Sequence, residues 1–177
     1  MSEVAQLPAA TQPKREELMT CLFRDLQSAR YNELYYQMRA STMKIWSNGA
    51  KALAAISSCA ALSGLLEAVP MGIKAMQVLT VIAALAATAE LIWHWDTQAT
   101  QFEKAVFSNN FLRQRITVLL RDLKMSDLES THEARARELQ AFDASLTALN
   151  DHGVSQVKDA AWKQTLEEYP VERAWDL

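Results

Sequence analysis

The sequence predicts an all-α protein in which a membrane helical hairpin is flanked by long cytoplasmic helices. Only four Gly and four Pro occur in 177 residues, so few positions interrupt a helix. Two charge-free apolar stretches, residues 52–66 and 75–89, surround a Val-Pro-Met-Gly turn. Before and after them, apolar residues recur at helical spacing, without the alternation that is typical of strands.

Composition and motifs argue against an enzyme. The net charge of −3 gives no basic excess, so we expect no direct nucleic-acid binding. Cys21 and Cys59 have neither zinc-site spacing nor a disulfide pattern, and are expected to be ordinary buried thiols. The HEARA segment at His132 lacks the second His of a zinc-protease motif, and there is no nucleophile elbow, P-loop or dinucleotide fingerprint. The sequence therefore predicts no catalytic residue, no metal site and no cofactor.

The first helix is predicted to begin near residue 14. Residues 1–13 are expected to be a disordered leader, which ends at Pro13 and lacks the features of a signal peptide. No strong helix breaker follows until the turn, apart from Gly49, so the helix is expected to continue into the first apolar stretch. Apolar positions with helical spacing on this helix are Leu18, Leu22, Leu26, Ala29 and Leu34.

The region after the hairpin is predicted to hold three further helices. An apolar pattern continues to about residue 125 and completes a two-transmembrane-helix domain over residues 14–125. Residues 126–129 form a capping box, which should start a new helix in a cytoplasmic C-terminal portion, residues 126–177. A final helix is expected over residues 155–168. The helix between them carries a short apolar seam for oligomerisation or for packing, formed by Leu139, Phe142, Leu146 and Leu149.

Four features favour a hairpin that crosses the membrane twice, and one of them is that neither apolar stretch has the polar face expected of a soluble surface hairpin. The apolar stretches are shorter than the roughly 20 residues that a spanning helix needs, but extended to residues 46–68 and 73–95 they are long enough. Their small residues allow close helix contact in lipid. Lys and Arg lie mainly outside the turn, which places both termini in the cytoplasm. Tryptophans expected at one interfacial level are Trp46, Trp93 and Trp95. The alternative is an alanine-rich core in a soluble protein.

Two charges interrupt the extended apolar segments. Lys51 and Glu90 lie at nearly equal sequence distances from Pro70, so an antiparallel hairpin places them at similar depth. A facing pair would share the cost of two charges in the apolar layer. Two other interpretations stay open: each side chain reaches the headgroups by itself, or Glu90 lines a pore in an oligomer.

This layout resembles the SLATT domain family. The resemblance covers residues 24–125 and lies in a helix rich in Arg and Tyr (FRDLQSARYNELYYQMRAS), the two apolar helices, and a helix with aromatic and basic positions (WDTQATQFEKAVFSNNFLRQRITVLLRDL). It implies a prokaryotic inner-membrane effector of nucleotide-signalling antiviral defence, oligomeric and pore-forming or otherwise membrane-perturbing. The implied partners are the lipid bilayer, further copies of the chain and a nucleotide-signalling or sensor protein.

Two alternatives to this function remain. One is a soluble, cytoplasmic all-α interaction protein. The other is a membrane anchor or scaffold without pore activity.

Overall fold

The computed structural model describes residues 12–62, 70–125, 130–146 and 154–170. These residues form helices and contain no strand, so the predicted all-α fold is confirmed for them. The helices are α1 (Gln12–Leu62), α2 (Pro70–Trp93), α3 (Trp95–Met125), α4 (Ser130–Ser145) and α5 (Ser155–Glu168). The membrane part of the prediction is not confirmed. No helix within the described residues combines the length and the apolar composition that crossing a membrane requires.

Helix α1 is a single helix of 51 residues, and it continues from the amphipathic segment into the apolar stretch as predicted. Gly49 does not interrupt it. A Cβ added at that position would meet no atom within 4 Å, so packing does not demand a glycine there. One glycine inside a helix costs only about 1 kcal/mol relative to alanine, which the rest of so long a helix tolerates.

A single residue, His94, separates α2 from α3. Its φ of 47° lies in the left-handed region, and this conformation ends α2 directly before α3 begins. Histidine is among the non-glycine residues that adopt this region more readily than most. The Gln98 side-chain amide donates to the Trp93 carbonyl over 2.9 Å, and its backbone N–H donates to the His94 carbonyl, also over 2.9 Å. Two backbone acceptors at the helix junction are thereby satisfied.

The chain divides into two compact units. The helical unit comprises residues 1–37 and 104–177, and the hairpin unit comprises residues 38–103. The boundaries fall within α1 and α3. The sequence predicted a domain boundary at residue 125. The compact units divide the chain on a different basis and do not test that boundary.

The helical unit has a core of large aliphatic side chains. Leu22 and Leu26 of α1 pack with Leu112 and Ile116 of α3, and all four are almost fully buried. Ala136 brings α4 onto the same cluster. At the end of α3, the Arg15 guanidinium donates to the carbonyls of Leu123 and Lys124, so a cation occupies the negative end of the helix dipole. Burial of large apolar residues is what holds this unit together.

The hairpin unit has the opposite distribution. Its buried apolar side chains are the alanines Ala40, Ala50, Ala83 and Ala99, with Phe102 as the one large member among the described residues. Most of the large aliphatic and tryptophan side chains described in this unit are instead exposed, whereas Leu53 and Trp95 are half-buried. The exposed set is Ile45, Trp46, Ile56, Val78, Val81, Ile82, Leu85, Ile92 and Trp93. Among the described side chains of this unit, the buried apolar ones are therefore mostly small and the exposed ones mostly large.

Candidate functional site

The polar centre of the helical unit is the carboxylate of Glu33, whose side chain is 7% exposed. It accepts hydrogen bonds from Asn110 Nδ2 over 2.9 Å and from Arg113 Nε over 2.8 Å. Arg30, one helical turn before it, lies 3.1 Å from the same carboxylate. A buried carboxylate without such partners would be strongly unfavourable, so these three donors make its burial possible.

The same network binds α5 to the rest of the unit. Arg30 Nε donates to Glu168 Oε2 over 2.7 Å, and Gln27 Nε2 donates to the Tyr169 carbonyl over 2.9 Å. Burial alone would lower the pKa of Arg113, but its hydrogen bond to the Tyr169 hydroxyl and the charge of Glu33 raise that pKa above its usual value. Arg113 therefore stays charged, and two cations face two carboxylates across α1, α3 and α5.

Aromatic contacts extend this attachment of α5. The Tyr31 ring meets the Trp162 ring edge-on at 5.8 Å and stacks on Tyr35 at 6.1 Å. Leu34, Tyr35 and Ala161 form a second buried cluster. The tyrosines of this segment thus pack helices together.

The three predicted interfacial tryptophans lie together in the hairpin unit. The Trp46 and Trp95 ring centroids are 5.9 Å apart, and Trp93 stacks on Trp95 at 5.6 Å. Trp46 and Trp93 remain exposed. The structure therefore brings these residues to one place, and it leaves open apolar ring surface there.

Lys51 forms an ion pair with Asp96 over 3.1 Å. Both side chains are more than half exposed, so the pair contributes little to stability in water. The side chain of Glu90, its predicted partner or a pore-lining group, lies outside the residues whose side chains are described. Lys44 pairs with Glu103 in the same unit. Asp96 lies one residue beyond the predicted apolar segment 73–95 and was therefore not predicted as the partner of Lys51.

The predicted seam of α4 packs within its own chain. Leu139, Phe142 and Leu146 lie against the core of the helical unit, and the Phe142 ring meets Phe111 of α3 edge-on at 5.8 Å. Leu149 lies outside the described residues. Of the two roles the sequence left open for this seam, the described contacts are those of packing.

Cys21 and Asp25 lie one turn apart on α1, beside α4. Cys21 is exposed, which corrects the expectation of a buried thiol. It lies on the polar side of α1, whereas its neighbours Leu22 and Phe23 are buried. The pKa of Asp25 is raised above its ordinary value, first by burial and then by the like charge of Asp143, against which a hydrogen bond from Gln140 acts in the lowering direction.

The described residues contain no group of three or more His, Cys, Asp or Glu side chains placed to hold a metal ion. Comparison with known proteins adds no assignment: no protein-family model, no curated protein and no solved structure matches this chain. The resemblance to the SLATT layout therefore stays a hypothesis that rests on the sequence alone.

Replacement of Glu33 by Leu is expected to lower the free energy of unfolding by about 3 kcal/mol, because it leaves Arg30 and Arg113 without their shared carboxylate in a largely buried site. The matched control is Glu133→Leu, whose exposed ion pair with Arg137 should cost less than about 0.5 kcal/mol. Urea denaturation measures both. The double change Glu33→Leu/Arg113→Leu should cost less than the sum of the single changes, and strict additivity would show that the pair is not coupled.

Asp25→Asn is expected to stabilise the protein at pH 7. Because the folded-state pKa is raised from 3.8, the contribution of Asp25 to stability is present below the unfolded-state pKa and is lost as the pH rises through the folded-state pKa. Asn keeps an acceptor for Gln140 and has no charge to lose. The difference in melting temperature between variant and parent should be positive at pH 7 and shrink towards pH 3. A variant less stable than the parent at pH 7 would contradict this assignment.

Proposed function

We propose that the protein acts at a membrane, with the hairpin unit in contact with the apolar layer of the bilayer and the helical unit in water. The observation that carries this proposal is the inverted packing of the hairpin unit. Among its described side chains, four of the five buried apolar residues are alanines, and most of the large aliphatic residues face outward. An outward-facing surface of large aliphatic residues is more stable in an apolar environment than in water.

The energetic argument compares two surroundings. Each fully exposed Val, Leu or Ile forgoes roughly 1.5–3 kcal/mol of burial in water, and monomeric soluble proteins rarely expose so many in one region. Nothing is forgone in lipid, where alanines at helix contacts allow the close approach that holds helices together. Val78, Val81 and Leu85 on α2 are exposed members of this surface.

Polar features of the hairpin unit fit a membrane boundary. Trp46, Trp93 and Trp95 lie together, and tryptophan is enriched where headgroups meet hydrocarbon. The ion pairs Lys51–Asp96 and Lys44–Glu103 supply charges in the same unit. Long lysine side chains can hold an ammonium group at headgroup level while their methylenes cover apolar surface.

We further propose that the protein is a non-enzymatic, oligomeric effector that perturbs or permeabilises the inner membrane in a prokaryotic antiviral response. The resemblance to the SLATT layout supports this role, together with the apolar surface of the hairpin unit. A nucleotide-signalling or sensor protein would be its partner. A membrane anchor without pore activity would have the same exposed apolar surface on its hairpin unit, but it would not make the membrane leak.

Val81→Asp tests lipid contact. Val81 lies in the middle of α2 and is exposed, so a charge there costs about 2.5–3.5 kcal/mol in the centre of a bilayer and almost nothing in water. The variant should lose retention in the carbonate-washed membrane pellet and lose dye release from liposomes, both of which the parent should show. Val154→Asp, an equally simple change at an exposed valine of the helical unit, should behave like the parent.

Three other outcomes decide against the proposal or narrow it. A parent protein found entirely in the supernatant, with Val81→Asp folding as well as the parent, favours a soluble interaction protein. Membrane retention without dye release from the parent leaves an anchor. Loss of membrane retention by Val154→Asp as well would show that a general loss of folding, and not lipid contact, underlies the result.

The proposed orientation places both termini in the cytoplasm and residues 67–74 outside. In a background with Cys21 and Cys59 replaced by Ser, a cysteine at Met71 should react with a membrane-impermeant maleimide in intact cells. A cysteine at Ser130, the first residue of α4, should react only after lysis. Labelling of Ser130→Cys but not of Met71→Cys in intact cells would reverse the orientation.

A further inference from the structure

Helix α3 carries two apolar faces. One is buried in the core of the helical unit and includes Leu112, Ile116, Leu119 and Leu123. The other is exposed. It consists of Phe107, Phe111, Val118 and Met125, whose exposed fractions are 75%, 40%, 53% and 84%. We call these four residues the outer stripe.

The outer stripe is narrow and continuous along the helix. Its residues are separated by four, seven and seven positions, so at 3.6 residues per turn they lie within about 40° of one another. At about 1.5 Å per residue the stripe is about 27 Å long. The seven-residue spacing is that of helices that pack along a shared seam. The core-facing residues already stabilise α3 in its own unit, and Phe111 is the stripe member that also meets a ring of that unit, Phe142.

A groove runs beside the stripe between α3 and α4. It has a volume of about 580 Å³, and Val118, Leu139 and Phe142 are among its apolar lining. Its charged lining residues are Arg115 and Arg135, with Asp122 and Glu138. Two positive and two negative charges balance, so the groove does not select a strongly charged ligand. A rim that carries both signs of charge lets opposite charges of two copies meet where the register brings them together.

We propose that the outer stripe binds the outer stripe of a second copy, with the two α3 helices antiparallel and the twofold axis near Gln114. In this register the numbers of two residues that face each other add up to 229. Phe111 therefore lies opposite Val118 of the second copy. Phe107 lies level with Asp122 of the second copy, at the groove. The most exposed aromatic ring of the stripe thereby gains an apolar site.

Charge favours the antiparallel arrangement. Lys104 and Asp122 lie on the same flank of the stripe, near its opposite ends. Antiparallel pairing sets Lys104 about 4–5 Å along the axis from Asp122 of the second copy, within reach of a lysine side chain. Asp122 also pairs with Arg135 over 3.4 Å, and the two oxygens of a carboxylate have lone pairs for several donors at once. A parallel pair would instead place Lys104 of one copy at the height of Lys104 of the other copy, so that two positive charges and no carboxylate would meet there.

This inference rests on the proposed function in one respect, because it names the surface through which the proposed homo-oligomer forms. The interface lies entirely in the helical unit, whereas the proposed lipid contact lies in the hairpin unit. The inference therefore stands or fails separately from lipid contact. It also differs from the α4 seam, since Leu139 and Phe142 already pack on their own core.

Site-directed crosslinking tests the register in the full chain, extracted in mild detergent, with Cys21 and Cys59 replaced by Ser. Gln114→Cys should crosslink to itself with a short bismaleimide, and Met125→Cys alone should not. A mixture of Lys104→Cys and Met125→Cys copies, carrying different tags, should crosslink to each other. Efficient self-crosslinking of Met125→Cys would establish a parallel pair, and no crosslink at any of these positions would overturn the interface.

Val118→Asp tests the energetics. A carboxylate in the middle of the stripe should raise the dimer dissociation constant at least about tenfold in sedimentation equilibrium. Val154→Asp is the matched control, since it places the same charge on an exposed valine that directly precedes α5 and is not part of α3, and it should leave the dissociation constant unchanged. Phe107→Gln, at a side chain that is 75% exposed, is the second variant in case Val118→Asp lowers folding as judged by circular dichroism.

Three results would refute the proposal: a monomeric parent at micromolar concentrations, an unchanged dissociation constant for both stripe variants, or equal weakening by Val154→Asp. Loss of dimers together with retained membrane fractionation in Val118→Asp would support the interface and leave lipid contact intact. The reverse pattern in Val81→Asp would affect the proposed function alone.

Discussion

Contact between the apolar faces of α1 and α3 is the interaction on which the helical unit depends. Leu22, Leu26, Leu112 and Ile116 close this contact, and each is almost fully removed from water. The Glu33 carboxylate lies on the same pair of helices, and it is buried because α3 supplies Asn110 and Arg113. Without the aliphatic contact these donors would not converge on one carboxylate, and Tyr169, directly after α5, would lose its hydrogen bond from Arg113 of α3.

Sequence periodicity predicted the parts of the fold that depend on local spacing. The continuity of α1 followed from the absence of strong breakers, and α5 was placed at residues 155–168, which is where it lies. The apolar pattern predicted up to about residue 125 corresponds to α3, whose Ile116, Leu119 and Leu123 lie in the core. Such patterns arise within one helix and need no knowledge of its neighbours.

Features that depend on a neighbouring helix were missed or left open. Glu33 was not singled out, because only the packed structure brings Asn110 and Arg113 to its carboxylate across some eighty residues of sequence. An Arg30–Glu33 spacing of three was the one local signal available. Cys21 was expected to be buried, although a shift of one position separates it from Leu22, and a helix face changes by about 100° over that step. The outer stripe of α3 was not predicted, because in a sequence the apolar residues of two opposite helix faces merge into one apolar segment.

The two exposed apolar surfaces of the protein differ in chemistry, and this difference is why they are assigned different partners. Residues 78–89 of α2 contain no charged residue, and their exposed side chains are aliphatic or small. The outer stripe of α3 contains two phenylalanines and a methionine, and Lys104, Arg115 and Asp122 lie beside it. Hydrocarbon offers no partner for charges, so a charge-free surface suits lipid. Aromatic and Met side chains bordered by charges of both signs are instead typical of contact between proteins, where the rim stays hydrated and the charges select the orientation.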